Sequence, residues 1–536
     1  MLIDGRSLPD SEQIETDLCI VGCGVAGITL ARELAAPGLR VTVLESGGPV
    51  RDPRADRFGA GESVGAPYLG LDKTRARGIG GSSLHWEYGP SEERWTARPL
   101  DALDFEARPG VPDSGWPFDA SALDAYYRRA QEISRLGPFA YSPADWPSVP
   151  NRPFPLAETD VVTNLVQLGN QTYEDYRGEL TDSAAIRVIH DATVLKLVAD
   201  PQASTVTHAD VATTDGRHLT IAARRFVLAA GGLENARILL LSGRPHEMSG
   251  LGNEHDLVGR YFMERLTGRA GVVLPADRAL IAHAGLYDSQ VVDGTRIQGV
   301  LSLAPDLVRE HELRNAMFWV HARPRAFTVP GVGSVMSIYR IARRHPLDRQ
   351  AIPAHVLRVA RDLPDVTRTL ANLALRRPEP AHDVLQLGVQ AEQAPHRDSR
   401  VVLGERRDPF DQPVARLDWR PSDADRDSIA RSVDLLDGAF RRATLGRIVE
   451  KIGREVPPTL FLGNSHHMGT TRMDSDPARG VVDPASRVHS MSNLYIAGSS
   501  VFPTSGFANP TLTIVALALR LADELRAAAW GDAPTS

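Results

Sequence analysis

The chain has 536 residues, of which 42% are hydrophobic and 24% charged, and a formal net charge of −7. That length favours two closely packed domains over one core, and the composition is that of a folded globular protein rather than a disordered or fibrous one. The mild acidity gives no broad basic field, so no nucleic-acid partner is expected.

The opening stretch, MLIDGRSLPDSEQIETD, is acidic and polar, without the basic segment and apolar run of a secretory signal. No later stretch offers the roughly 20 apolar residues of a membrane span, and the reading is a cytoplasmic protein without an integral membrane segment. The two cysteines, Cys19 and Cys23, fall in a strand and the turn after it. An extended backbone holds them too far apart for easy bridging, and one pair makes a poor metal site, so both read as small packing residues.

Residues 17–21, DLCIV, run into GCGVAG at 22–27, then a helical stretch, then LRVTVLES with Glu45 near its end. This is strand, glycine turn, helix, strand. Gly22 permits the tight turn, Gly24 lets backbone approach a pyrophosphate, and Gly27 lets the helix pack on the strand. The helix N-terminus faces the phosphates with unpaired N–H groups, and Glu45 is placed to accept from a ribose. Because the whole unit is present, dinucleotide binding outweighs a purely structural turn, although the motif does not choose between NAD and FAD.

Three further stretches add to it. RARGIGGSSLHWEYGP at 75–90 is too glycine-rich for a helix interior and can lay backbone amides against a flat ligand. ARRFVLAAGGLENARILLLS at 223–242 reads as strand, glycine turn and a helix beginning near Glu234. NLYIAGSSVFPTSGFANPTLTIVALALRLADEL at 493–525 reads as strand, loop and a long helix beginning around Pro510. Between them lie a stretch at about 340–378 that reads as a helical, arginine-rich insertion, and SHHMGTTRM at 465–473. The insertion reads equally as a lid, a membrane-surface helix, a docking site or a solvated helical face.

In order and approximate spacing, GCGVAG with Glu45, GIGGSSLHW, FVLAAGGLENARILL, HHMGTTRM and GFANPTLTIVALALR resemble the glucose-methanol-choline (GMC) oxidoreductases, from about residue 14 to about 526. The resemblance implies an α/β fold: a Rossmann-like FAD-binding domain with an inserted α+β substrate domain built on a mixed sheet. The FAD-binding domain would comprise 1–98, 186–265 and 455–536, and the substrate domain 99–185 and 266–454. The implied cofactor is FAD. Its contacts are expected at Gly22, Gly24, Val25, Ala26 and Gly27, at Glu45 and Ser46, and at Arg77, Gly80, Gly81, Ser82, Ser83, His85 and Trp86. Val194, Ala230, Gly231, Gly498, Asn509, Pro510 and Thr511 complete the set. The helix after Asn509 would point its positive end at the flavin edge that becomes anionic on reduction.

In the family the base is a histidine three residues before the glycine of a Gly-Thr pair. That glycine is Gly469 here, so the position falls on His466, and the second member of the pair falls on Asn509. A neutral imidazole accepts the hydroxyl proton while the carbon hydrogen leaves as hydride; asparagine can only orient the hydroxyl. His467 reads as structural or as part of a substrate rim, and adjacent histidines on a strand face opposite ways, which disfavours a metal. His85 lies where a related branch links histidine to the flavin; non-covalent FAD is expected.

The HW pair after GGSS, the HHMGTTRM variant and the asparagine partner look most like the bacterial pyranose oxidase and glycoside 3-oxidase branch. The implied reaction is oxidation of a secondary ring hydroxyl of a sugar or glycoside, at C2 or C3, with reoxidation by oxygen or another acceptor. The alternative is a dehydrogenase of another alcohol or sugar acid using a quinone or a haem partner protein, the chain itself having no haem-attachment motif. A lyase, a non-catalytic flavoprotein and an NAD enzyme are weaker readings, the last leaving GIGGSSLHW unexplained. Trp319, His321, Gln390 and Glu392 are substrate-side candidates, each as readily a residue of the sheet core.

Overall fold

The computed structural model describes residues 1–50, 52–86, 94–243, 250–324, 329, 331–335, 338–339, 352–375, 382–453 and 465–527. The apolar run ending at Val21 forms the strand Glu12–Val21, whose last six residues are all buried. Such continuous burial is what a strand covered on both faces requires. It pairs in parallel with Val41–Leu44 on one side and His218–Leu228 on the other. The sheet extends outward through Ile186–His190 and Leu2–Asp4 at one edge and through the antiparallel strands Val206–Thr213 and Ala192–Ala199 at the other. The short strand Leu494–Ile496 pairs in parallel with His218–Leu228.

One register row of this sheet positions everything that follows. Val21, Leu44, Leu228 and Ile496 stand side by side, each the last residue of its strand. The chain therefore delivers Gly22, Glu45, Ala229 and Ala497 to the same carboxyl edge, where open α/β sheets bind ligands. Helix Val25–Leu34 leaves that edge and packs beside helix Thr511–Ala527, which also packs on Asp124–Ile133. Tyr127 and Thr513 hydroxyls meet at 2.9 Å across the second contact.

The helix expected near Glu234 begins earlier, at Gly231, because the Asn235 side chain accepts from the Ala230 N–H at 2.8 Å and closes the glycine turn into its first turn. The C-terminal helix begins at Thr511, with the Pro510 carbonyl accepting from the Ile514 N–H at 2.8 Å.

A second sheet runs in the order Gly446–Val449, Arg265–Pro275, Val384–Glu392, Ala316–Arg323, Thr295–Leu303, Val161–Gly169 and Trp95–Ala97, with Gln290–Val292 paired to Thr295–Leu303. Every described pairing in it is antiparallel, so parallel and antiparallel neighbours mix in the first sheet and in a third, small one, but not here. The third sheet joins Arg400–Arg407, Pro413–Trp419 and Glu62–Gly65. The architecture is the expected α/β one, with two large sheets meeting at the carboxyl edge of the first.

Within the arginine-rich stretch the described residues form two helices, Ile352–Arg361 and Leu363–Ala374. Residues 340–351 and 376–378 of that stretch, and 455–464, lie outside the described residues. Among the described residues no helix is long and apolar enough to cross a membrane.

Candidate active site

The glycine turn works by close approach. A Cβ on Gly27 would lie 1.9 Å from the Gly22 carbonyl oxygen, so helix Val25–Leu34 can sit this near the strand only without a side chain there. Gly81 has φ +56 and its added Cβ would lie 2.8 Å from the Gly24 Cα, which brings the two glycine loops together. The helix starts at Gly24 with no side-chain cap, leaving its first N–H groups for a ligand.

These loops line a cavity that opens to solvent. Gly22, Gly24, Val25, Ala26, Glu45 and Ser46 line it, and so do Arg77, Gly81, Ser82, Ser83 and Trp86. Val194, Ala230, Gly231, Gly498, Pro510, Thr511 and His466 complete the match with the residues singled out from sequence. Four of those residues do not line it. Gly27 lies beneath the turn, and the Gly80 N–H is spent on the Cys23 carbonyl at 2.8 Å. His85 turns its Nε2 toward Asp56, 3.6 Å away. Asn509 stands behind Pro510 at the second sheet.

Glu45 is buried, and its carboxylate accepts from the N–H groups of Cys23 at 2.9 Å, Gly47 at 2.8 Å and Gly78 at 3.0 Å, with the Ser46 hydroxyl at 3.3 Å. It clamps both glycine loops together. Burial raises its pKa while the amide hydrogen bonds oppose that shift. Nearby, Arg75 pairs with Glu234 at 2.6 Å, and both line the cavity. Burial acts to raise the Glu234 pKa, but the guanidinium groups of Arg75, Arg237 and Arg77 outweigh it and hold it down to about 2. Cys19 and Cys23 are buried and unpaired.

The segment carrying the two histidines is threaded between two others. Met468 and Met263 exchange backbone hydrogen bonds at 3.0 and 3.1 Å, and on the other side Gly469 and Thr471 N–H groups bond to Ser499 and Ser500 carbonyls at 3.1 and 2.8 Å. Its two histidines face different surroundings, although both line the cavity. The His467 ring is buried against Tyr68 and Phe262, with centroids 6.1 and 5.8 Å away, and among the described residues its Nε2 has no hydrogen-bond partner. Burial, then Arg75, lowers its pKa to about 3, and it stays neutral. His467, read from sequence as structural or as part of a substrate rim, is a buried residue of the cavity wall.

His466 is half-buried, and its backbone N–H donates to Glu264 at 2.9 Å. Its ring meets a residue that sequence reading passed over, Arg265. The Arg265 Nη2 lies 2.6 Å from Nδ1 and 2.8 Å from Nε2 of the imidazole. The other arm, Nη1, donates to the Asn509 carboxamide oxygen and to the Phe507 carbonyl at 3.1 Å. Burial, then Arg265 and His467, lowers the His466 pKa well below the ordinary imidazole value. Burial also lowers the Arg265 pKa, against Glu264, to about 9, which leaves the guanidinium charged at neutral pH.

Asn509 is held from both ends, since its Nδ2 donates to Thr96 Oγ1 at 2.8 Å. Of the substrate-side candidates, Gln390 reaches this corner, donating to the Phe507 carbonyl at 2.6 Å. Glu392 instead forms a buried bidentate pair with Arg108 at 2.6 and 2.8 Å. Trp319 covers Gly388, whose added Cβ would meet the indole Nε1 at 1.8 Å, and His321 lies 3.8 Å from Asp288. Arg265, Thr96, Arg75 and Glu234 were not singled out from sequence. The one available signal was the charged pair Glu264–Arg265 between the apolar YFM and a strand destined for burial.

A family model described as GMC oxidoreductase matches residues 395–518. The chain is 24% identical to 6'''-hydroxyparomomycin C oxidase from Streptomyces lividus, over 94% of this chain and 90% of that one. It is 25% identical to C-glycoside 3-oxidase from Microbacterium trichothecenolyticum, over 96% and 98%. The fold is similar to the crystal structure of formate oxidase, with TM-score 0.55 and 16% identity, covering 97% of this chain and 99% of that one. Over residues 395–518 the chain matches the GMC oxidoreductase model, and its fold is that of a GMC flavoenzyme. FAD-dependent oxidation of CH–OH groups goes with that match. The cavity fits FAD: an uncapped helix N-terminus suits a pyrophosphate, the Gly24–Gly81 approach suits backbone contact, and the buried Nε2 of His467 offers a polar partner.

Proposed function

We propose that this protein converts a secondary ring hydroxyl of a sugar or glycoside, at C2 or C3, to the ketone. In this reading His466 accepts the hydroxyl proton, and Asn509 orients the hydroxyl by hydrogen bonding. FAD, when bound, supplies the hydride acceptor. The backbone at Gly24, Val25 and Ala26 would hold its phosphates, with Glu45, Trp86, Val194, Gly498 and Thr511 along the rest of the cavity. Segments 1–98, 186–265 and 455–536 then bind the cofactor, and 99–185 and 266–454 the substrate.

One observation carries the reading. His466 reaches the cavity wall in neutral form, as a base must, while its neighbour Arg265 ties it to Asn509. The substrate class is supported by the relative named C-glycoside 3-oxidase. Anaerobic mixing with free sugars and with O- and C-glycosides, followed by product identification, tests it. Flavin bleaching by a glycoside that yields a keto product is the expected result. A folded His466→Ala variant that reduces its flavin at the parental rate would remove the base assignment. Turnover with oxygen against turnover with a quinone then fixes the acceptor.

A further inference from the structure

We propose that Arg265 is a positioning residue of the active site: its guanidinium ties the imidazole of His466 to the carboxamide of Asn509 and keeps that imidazole neutral until a substrate hydroxyl arrives. The proposal rests on the roles given to His466 and Asn509 above and adds a third residue to them.

The geometry is selective about protonation. A neutral imidazole has one lone pair and one N–H, whereas an imidazolium has two N–H donors and no acceptor. Arg265 Nη2 faces both ring nitrogens within 2.8 Å, and a guanidinium has only donors to offer. Neutral His466 can accept from Nη2 through one of the two nitrogens, and imidazolium through neither. When the hydroxyl proton transfers, the substrate O–H bond breaks, an imidazole N–H forms, and the ring must release Arg265. The guanidinium keeps its hold on Asn509 and the Phe507 carbonyl.

Nothing in the surroundings gives Arg265 another purpose. It is fully buried, its side chain bonds to the His466 ring, Asn509 and Phe507, and the buried Glu264 carboxylate next to it in the chain favours its charged form. A fully buried cation is costly to desolvate, and a site retains one where it serves the chemistry. Among the described residues, the charged and titratable groups facing the His466 ring are Arg265, the adjacent His467, and Glu264, which accepts from the His466 backbone N–H and from Tyr68. Asn509 and Gln390 are neutral.

The test uses the FAD-loaded enzyme with 13C-labelled histidine, the His466 resonance being the one lost in His466→Asn. In the parent, His466 stays neutral throughout the pH range in which the protein is folded. In Arg265→Met its titration rises by about one unit or more, and the acid limb of the flavin-reduction rate moves up with it. Arg265→Lys keeps the charge but not the planar fork, so the titration stays low while the rate falls about 10- to 100-fold. If Arg265→Met does not fold, Arg265→Gln, neutral and still a donor, goes through the same titration with the same expectation. A folded, FAD-loaded neutral variant that titrates as the parent overturns the proposal, as does a titration shift without change in rate or acid limb. The fate of the base assignment is read separately, from His466→Ala.

Discussion

Arg265 and His466 are register partners. The antiparallel bridge between Met263 and Met468, continued by two residues, sets them opposite each other, and the side chains meet at 2.6 Å. The same arginine holds Asn509, which reaches the site from beyond the last strand of the first sheet, so three chain segments share one guanidinium.

Asn509 is anchored by Arg265 on its oxygen and by Thr96 on its nitrogen. Asn509→Ala is expected to retain FAD and slow flavin reduction by about 100-fold, the scale of misplacing a reacting group by an ångström. Thr96→Val, which frees only the nitrogen, should give a smaller loss in the same direction. Stopped-flow flavin reduction measures both, and a parental rate in Asn509→Ala would remove the orienting role.

Gly27→Ala places a methyl group 1.9 Å from a backbone oxygen that cannot swing aside. The helix must back away from the strand, at a cost of about 1–3 kcal/mol, and the cradle at Gly24 moves with it. The variant should purify with little or no flavin absorbance. Full yellow colour at parental occupancy would show that the turn does not govern cofactor binding.

Glu234 carries the clearest pH signature. Its folded-state pKa of about 2 lies below the ordinary glutamate value, so its contribution to stability is fully present above the unfolded pKa and is lost as pH falls from there toward about 2. Glu234→Gln leaves Arg75 buried without its partner and should lower stability at neutral pH by roughly 3–5 kcal/mol. It should also flatten the decline of melting temperature below the unfolded pKa. An acid limb as steep as the parent's would assign that decline to other carboxylates.

Arg108 and Glu392 join the start of the substrate-side chain to the second sheet through a pair with side chains only 6% and 0% exposed. Glu392 also accepts from the Asn315 N–H at 2.6 Å. Glu392→Gln should destabilise by about 3–5 kcal/mol, since it strands a buried guanidinium. Thermal unfolding would show it, and an unchanged melting temperature would contradict the ledger of that pair. Flavin content should be unaffected, because neither residue lines the cavity.

Much of the cofactor cavity was legible in the chain because its contacts are local. GCGVAG, Glu45, GIGGSS and the AAGG turn each combine a strand end with glycines, and each such segment carries its own conformational instructions. Parallel pairing then had only to set the strand ends in one row. His85 shows the limit of that reading: the GIGGSSLHW motif suggested a cofactor contact, yet the short helix Gly81–His85 turns its ring toward Asp56 and off the cavity wall.

The charged network behind the two catalytic candidates was not legible. Residue types and spacings alone marked the glycine turns, the resemblance to the GMC oxidoreductases and the candidacy of His466 and Asn509. That Arg265 sits between them, that Thr96 fixes Asn509 and that Arg75 meets Glu234 were decided only by tertiary packing. Tertiary packing joins residues hundreds of positions apart, and no local periodicity records which arginine will be buried beside them.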